Sequence, residues 1–175
     1  MQLISNPDGA TLSKIKRLYR TAFPRNERKP FAVIWEKSRS GQMELLAVEQ
    51  DGFCGLVITI LYKDIVLLDY FAIEPSCRGN GIGTAVLALL QERYPDKRLL
   101  LEIEDPTLPC DNREERERRL RFYQRNGMSV MPYRVNLFGV EMFILTRGGE
   151  VDFAEYHEIF REVFSPLLAK KVQLL

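Results

Sequence analysis

Hydrophobic positions along the chain change period several times, and each change marks an element. From 11 to 23 (TLSKIKRLYRTAF), Leu12, Ile15, Leu18, Tyr19 and Ala22 recur at helical spacing, and Pro24 stops that helix. A charged loop over 25–30 leads to a second short helix over 31–39, ended by Gly41. Three strands then follow in quick succession, over 43–49, 53–62 and 65–73. Asp51-Gly52 turns the first into the second and Lys63-Asp64 turns the second into the third, so these neighbours are antiparallel.

The period then becomes helical again. Ile82, Val86, Leu89 and Leu90 share one face over 82–94, and Pro95-Asp96 ends the helix. Residues 98–104 (RLLLEIE) read as a short strand. Strand, helix and strand in this order imply a right-handed crossover and local parallel pairing. After a polar loop, Asn112 is placed to cap a charged helix, with Glu115 three residues on completing a capping box, and Asn126-Gly127 closes it. Strands over 128–137 and 139–146 meet at a turn near Gly139, and a last helix spans 152–164 before Ser165-Pro166 starts a new turn. The expected fold class is α/β, a mixed and mostly antiparallel sheet with a central parallel crossover, flanked by helices.

Composition adds exclusions. A chain of 175 residues suits one domain, and 46% hydrophobic with 28% charged residues is ordinary for a globular protein. A net charge of +1 supplies no strong field, so neither nucleic acid nor a membrane surface is an expected partner. The opening MQLISNPDGA lacks the layout of a signal peptide, and no apolar run reaches the ~18 residues of a membrane span. Cys54, Cys77 and Cys110 are odd in number and scattered, which disfavours a disulfide framework and a zinc site. The expectation is a metal-free protein of the reducing cytoplasm.

Chemistry concentrates in Cys77-Arg78-Gly79-Asn80-Gly81-Ile82-Gly83-Thr84, between a strand and a helix. Glycines let the backbone turn tightly and approach a ligand, the helix start offers unpaired N–H groups, and Arg78 adds positive charge. A pyrophosphate suits this turn. A tight strand-to-helix connection with no ligand is the plain alternative. A P-loop requires a lysine that is missing here. A dinucleotide fingerprint finds Gly79, Gly81 and the acidic Glu102 ~20 residues on, but Thr84 at its third glycine, and antiparallel hairpins stand where a βαβ series should open.

Arg78, Gly81 and Gly83, read as Arg-x-x-Gly-x-Gly, resemble the acetyl-CoA motif of the GNAT superfamily. Phe71-Ala72-Ile73-Glu74-Pro75 resembles the strand and proline that precede that motif. Phe122-Tyr123-Gln124-Arg125-Asn126-Gly127-Met128 resembles the family's aromatic-Tyr-x-x-x-Gly-Phe segment, with Met128 in place of the aromatic residue. Arg116 and Arg119 stand where many members have asparagine and alanine. The resemblance covers roughly 43–146, and the two preceding helices fit the family's first two. It implies an N-acetyltransferase domain over 1–148, with 149–175 as a helical extension packed on it. It also implies transfer of acetyl from acetyl-CoA to a primary amine of a small molecule or peptide, by direct attack in a ternary complex. The alternative is a GNAT-like module that binds acyl-CoA without turning it over.

The same resemblance assigns residues. Backbone N–H groups of Phe71, Ala72 or Ile73 polarise the thioester carbonyl, and Arg78, Gly79, Asn80, Gly81, Ile82, Gly83 and Thr84 hold the pyrophosphate. Tyr123 protonates the leaving thiolate, a proton transfer that a phenol can make if aligned; a core tyrosine is the bland alternative. Asp69 interrupts an apolar strand, where a carboxylate is costly to charge and so suits a base near neutrality. Glu104 is the second candidate base, while Glu102 reads as exposed. The run Arg113 to Arg121 reads as a solvated face with i,i+4 pairs, from which Arg116 or Arg119 can meet a CoA phosphate. His157 reads as a surface residue. Phe23, Arg25, Arg28, Phe31 and Trp35 suit an acidic or aromatic acceptor, or plain helix packing. A stripe of Phe153, Tyr156, Phe160, Val163, Phe164 and Leu167 packs on its own domain, forms a dimer interface or walls the acceptor site, leaving monomer and homodimer open.

Overall fold

Burial follows the expected periods in part: Ile15, Leu18, Tyr19, Ile82, Val86, Leu90, Tyr156, Phe160 and Val163 are buried, whereas Leu167, expected in the last apolar stripe, is 71% exposed. A computed structural model describes residues 1–25 and 27–175; the expected loop over 25–30 contains Asn26, which lies outside the described residues. The described residues form an eight-stranded, mostly antiparallel sheet. The chain divides into two compact units, residues 1–61 with 68–95, and 62–67 with 96–175.

In the first unit, β1 (Gln2–Ser5) leads to α1 (Gly9–Ala22) and α2 (Phe31–Arg39). Then come β2 (Met43–Glu49), β3 (Phe53–Tyr62), the strand β4 (Ile65–Ile73) that runs on from the second unit, and α3 (Ile82–Arg93). Helix α1 starts two residues before its periodic run because Asp8 accepts the Thr11 N–H at 2.7 Å. It stops at Ala22 because Phe23, preceding Pro24, is held extended. Ile15, Leu18, Tyr19 and Ile34 are buried under the two helices. The antiparallel register runs from Met43 opposite Ile60 to Glu49 opposite Phe53. Gly55 is required in β3: a Cβ there would lie 2.5 Å from the Ala72 carbonyl oxygen of β4. Arg93, at the end of α3, holds Glu44 of β2 through two bonds of 2.9 Å, and the Tyr94 hydroxyl donates to the same carboxylate.

In the second unit, β5 (Arg98–Glu104) is followed by α4 (Arg113–Arg125), β6 (Ser129–Leu137) and β7 (Val140–Arg147). The chain ends in α5 (Phe153–Ile159), α6 (Pro166–Ala169) and β8 (Val172–Leu174). Ile65, Val66 and Leu67 pair in parallel with Arg98, Leu99 and Leu100, the crossover pairing that the sequence predicts. Strand β7 lies antiparallel between β5 and β6. Arg98 bonds Asp64 at 2.8 and 3.0 Å and Glu155 at 2.8 Å, tying the start of β5 to α5.

Three local expectations change. Asn112 does precede α4, but no capping box forms, because its Oδ1 accepts from Arg116 Nε at 3.0 Å instead of capping the helix. The last helix does not run unbroken over 152–164. Its α-helical part ends at Ile159 and a π-turn spans Phe160–Phe164, with the Ser165 N–H bonded to the Phe160 carbonyl at 3.1 Å. That wide turn shifts the phase by one residue and keeps both Phe160 and Val163 buried. Two short strands, β1 and β8, lie at the ends of the strand order, too brief to show a period of their own.

Candidate functional site

The glycine turn belongs to the first unit. After β4 the chain makes one 3₁₀ turn, Pro75–Cys77, and then passes through Arg78–Gly81 into α3. Gly79 and Gly81 have φ of +89° and +72°, a region that side chains disfavour. A Cβ at either would meet no atom within 4 Å, so the space above both glycines is open to a ligand. The first bond of α3 is Ala85 N–H to the Gly81 carbonyl, 3.1 Å. The N–H groups of Ile82, Gly83 and Thr84 therefore have no acceptor within the helix, and no side chain caps it. Ile82 is buried and anchors the first turn, while Arg78, Asn80 and Thr84 are exposed. Arg78 Nε donates to the Ile73 carbonyl at 3.1 Å, holding this cation over the end of β4. Open glycines, orphan donors and a fixed cation fit a pyrophosphate. Phe71 and Ile73 are half-buried and Ala72 is buried in the strand that leads into the turn.

Four residues before the end of β4 lies Asp69, its side chain 6% exposed. Its Oδ1 accepts from Lys29 Nζ at 2.7 Å. Its Oδ2 is buried with no hydrogen-bond partner. Lys29 is itself held by its backbone: its N–H donates to the Tyr70 hydroxyl and its carbonyl accepts from Tyr19, each at 3.0 Å. The Tyr70 hydroxyl donates in turn to the Glu27 carbonyl at 2.8 Å. Burial, followed by its hydrogen bond with Tyr70, pushes the Tyr19 phenol well above its usual range, so it stays neutral. One oxygen of this carboxylate is thus on an ammonium, and the other is left as a buried hydrogen-bond acceptor.

The second unit carries the other expected catalytic residues. Tyr123 lies on α4 with 9% of its surface exposed, its ring edge-on to Phe122 at 5.1 Å. Burial pushes its pKa up to about 12, with a small opposing pull from the Arg119 charge. Its hydroxyl has no hydrogen-bond partner among the described residues. The phenol therefore keeps its proton at neutral pH. Glu104, at the end of β5, bonds Arg116 Nη2 at 2.5 Å and Arg119 Nη1 at 3.5 Å. Arg119 also pairs with Glu115 at 3.3 Å and is 37% exposed. The expected i,i+4 pairs are present, Arg113–Glu117 and Arg121–Glu117 among them. Glu102 is not simply solvated; it accepts from the Tyr156 hydroxyl at 2.8 Å. Met128 is buried, and His157 lies 2.9 Å from the Ala169 carbonyl through Nε2.

Sequence reasoning missed Lys29, Tyr19 and Tyr70. The available signal was weak: a lysine just before Pro30, and a tyrosine beside the interrupting Asp69. Of the five acceptor candidates, Arg25, Arg28, Phe31 and Trp35 line a cavity, while Phe23 packs on Tyr70 at 4.9 Å. Among the described residues, no group of three or more His, Cys, Asp and Glu is arranged to hold a metal ion, and no helix is long and apolar enough to cross a membrane.

With this geometry in place, known proteins offer comparisons. The family described as "Acetyltransferase (GNAT) domain" matches residues 34–128, more than half of the chain. YjbC of Bacillus subtilis (strain 168), a proposed acetyltransferase, is 35% identical over 100 residues, which are 53% of this chain and 49% of YjbC. The chain thus spans about half the length of that relative. Among solved structures, a proposed GNAT-family acetyltransferase from Bacteroides thetaiotaomicron superposes with a TM-score of 0.78 at 21% identity, covering 94% of this chain and 98% of its own. An aminoglycoside 6'-N-acetyltransferase complexed with coenzyme A gives 0.67 at 19% identity, covering 87% and 100%. These two likenesses establish the fold, the mixed sheet that the periods predict. On the family match, the chain belongs to the GNAT acetyltransferase family.

Proposed function

We propose that the protein is an acetyl-CoA-dependent N-acetyltransferase acting on a primary amine of a small molecule or peptide. The observation that carries this reading is the glycine turn, with left-handed Gly79 and Gly81 open above and orphan N–H groups at the start of α3. Acetyl-CoA, when bound, supplies the acetyl group as a thioester. Arg78, Gly79, Asn80, Gly81, Ile82, Gly83 and Thr84 would hold its pyrophosphate, and Phe71, Ala72 and Ile73 would lie beside its acyl end. Arg119, partly exposed on α4, would meet a phosphate. Residues 1–148 are read as the acetyltransferase domain. Residues 149–175 are read as its extension, supported by the Glu155–Arg98 and Tyr156–Glu102 contacts inside the second unit.

Three proton movements accompany the reaction: nitrogen loses one proton before attack and one as the amide forms, and sulfur gains one. Asp69, through its unpartnered Oδ2, takes the proton that the acceptor ammonium must lose before its nitrogen attacks. Tyr123 gives its hydroxyl proton to sulfur as the carbon–sulfur bond breaks, so a thiol leaves rather than a thiolate, and the second proton that the nitrogen sheds as the amide forms restores the phenol. Glu104 is the weaker candidate base, since two guanidinium groups already engage its oxygens.

The test is calorimetry with CoA on wild type and on Gly81→Asn. Asparagine tolerates a left-handed backbone better than other side chains, so the fold should survive while its side chain fills the open space. The expected result is loss of CoA binding with near-normal melting. Unchanged CoA affinity in the folded variant would remove the basis of this reading.

A further inference from the structure

Within the first unit, residues between Lys16 and Trp35 enclose a cavity of about 650 Å³, large enough for a small organic ligand. Five of its lining residues are cations: Lys16, Arg20, Arg25, Arg28 and Lys29. None is acidic. The chain as a whole is nearly balanced, 25 basic against 24 acidic residues, so this gathering is local and does not follow from composition. Lys29 has its carboxylate, Asp69; among the described residues the other four cations have no ion-pair partner. Two of them make only backbone bonds, Arg20 to the Lys16 carbonyl at 3.1 Å and Arg28 to the Arg20 carbonyl at 3.2 Å. Arg28 Nε is buried without an acceptor. Like charges crowded in a concave wall repel one another and focus a positive field into the space they enclose. An anion entering that space would relieve the repulsion and supply the missing acceptor.

The rest of the wall is aromatic. Lys16 Nζ sits 5.2 Å from the centre of the Phe31 ring, and Trp35 is 40% exposed at the same cavity. Flat side chains beside guanidinium groups favour a ligand with a ring or apolar body and an anionic group. Lys29 connects this cavity to the reaction, because it lines the wall and also holds Asp69.

Resting on the acetyltransferase reading, we infer that the acceptor bound here is an anionic amine, a small molecule that carries a carboxylate or phosphate group together with its amino group and a ring. Polycationic amines are disfavoured by the same field.

The experiment is calorimetry and thiol release with four probes. O-phospho-L-tyrosine offers phosphate and L-glutamyl-L-tyrosine offers additional carboxylate, while tyramine keeps ring and amine without an anion and spermidine is polycationic. Each is tested on wild type and on the double variant Arg20→Gln, Arg25→Gln. At least one anionic probe should bind about tenfold or more tighter than tyramine, the gain expected of charge-assisted bonds. The more tightly bound of the two identifies the anion. The double variant should lose most of that advantage while keeping its affinity for CoA. Spermidine or tyramine binding as well as both anionic probes overturns the inference, as does an unchanged preference in the variant. If CoA affinity falls together with probe affinity, these cations serve the cofactor's phosphates and the acceptor assignment fails. Failure of the acetyltransferase reading looks different: wild type then gives no CoA binding, whatever the probes do.

Discussion

Tyr123→Phe separates catalysis from packing at a single atom. The ring is buried against Phe122 and would remain so. The hydroxyl makes no hydrogen bond among the described residues, so its removal strands no partner. Stability should therefore change by less than about 1 kcal/mol, or roughly 2–4 °C in melting temperature for a chain of this size. If the phenol protonates the departing thiolate, kcat should fall by about 10²–10⁴-fold, equivalent to roughly 2.7–5.5 kcal/mol of barrier. CoA affinity should hold. The loss should shrink for donors whose thiol is a better leaving group, since a more stable thiolate needs less help. Its pKa of about 12 adds a second signature. A general acid must hold its proton, so wild-type kcat should show no basic limb from Tyr123 below roughly pH 10. Steady-state kinetics with two thioesters of different thiol acidity, on both proteins, checks all of this. A folded variant with normal kcat on both donors would end the general-acid assignment.

Other outcomes follow from the same geometry. Asp69→Asn should remove the acidic limb of the kcat/KM pH profile and slow the reaction at neutral pH; a variant that only melts earlier, with wild-type pH dependence, would reassign the base. Lys29→Met should leave a buried carboxylate without its cation and cost about 3–5 kcal/mol in denaturant unfolding, a loss that Lys29→Arg should partly spare. Gly55→Ala should lower stability by about 1–3 kcal/mol, because the added carbon meets the Ala72 carbonyl; an unchanged unfolding midpoint would mean that β3 yields freely.

Much of the fold was legible because its elements are long and strictly periodic. The strands over 43–49, 53–62 and 65–73 match β2, β3 and β4 to the residue. Buried stripes and tight turns with left-handed Asp51 and Lys63 mark their limits clearly. Elements of three or four residues, β1 and β8, take their structure from the partner strands, and no local pattern announces them. The cap of α4 was misread because Asn112 had a choice of partners that local sequence does not display. Arg116, one turn on, takes the asparagine oxygen while its own guanidinium reaches Glu104. The glycine turn was legible since it is contiguous. The Lys29–Asp69 pair was not: its members are 40 residues apart in sequence, and only the folded loop brings the ammonium to the strand.

The two candidate bases show how environment sorts like groups into different roles. From sequence, Asp69 interrupts an apolar strand, where a carboxylate is costly to charge, while Glu104 stands at the end of one. In the fold both acquire cations, but unequally. Glu104 has a guanidinium on each oxygen and is 17% exposed, so charge-assisted bonds already occupy both oxygens. Asp69 has one ammonium on one oxygen, and its other oxygen is buried with no donor. A buried acceptor atom without a donor costs roughly 1–3 kcal/mol, a deficit that an N–H donated by an incoming ammonium would remove. The acceptor atom left for an incoming ammonium is therefore on Asp69 rather than on Glu104, whose two oxygens are both engaged.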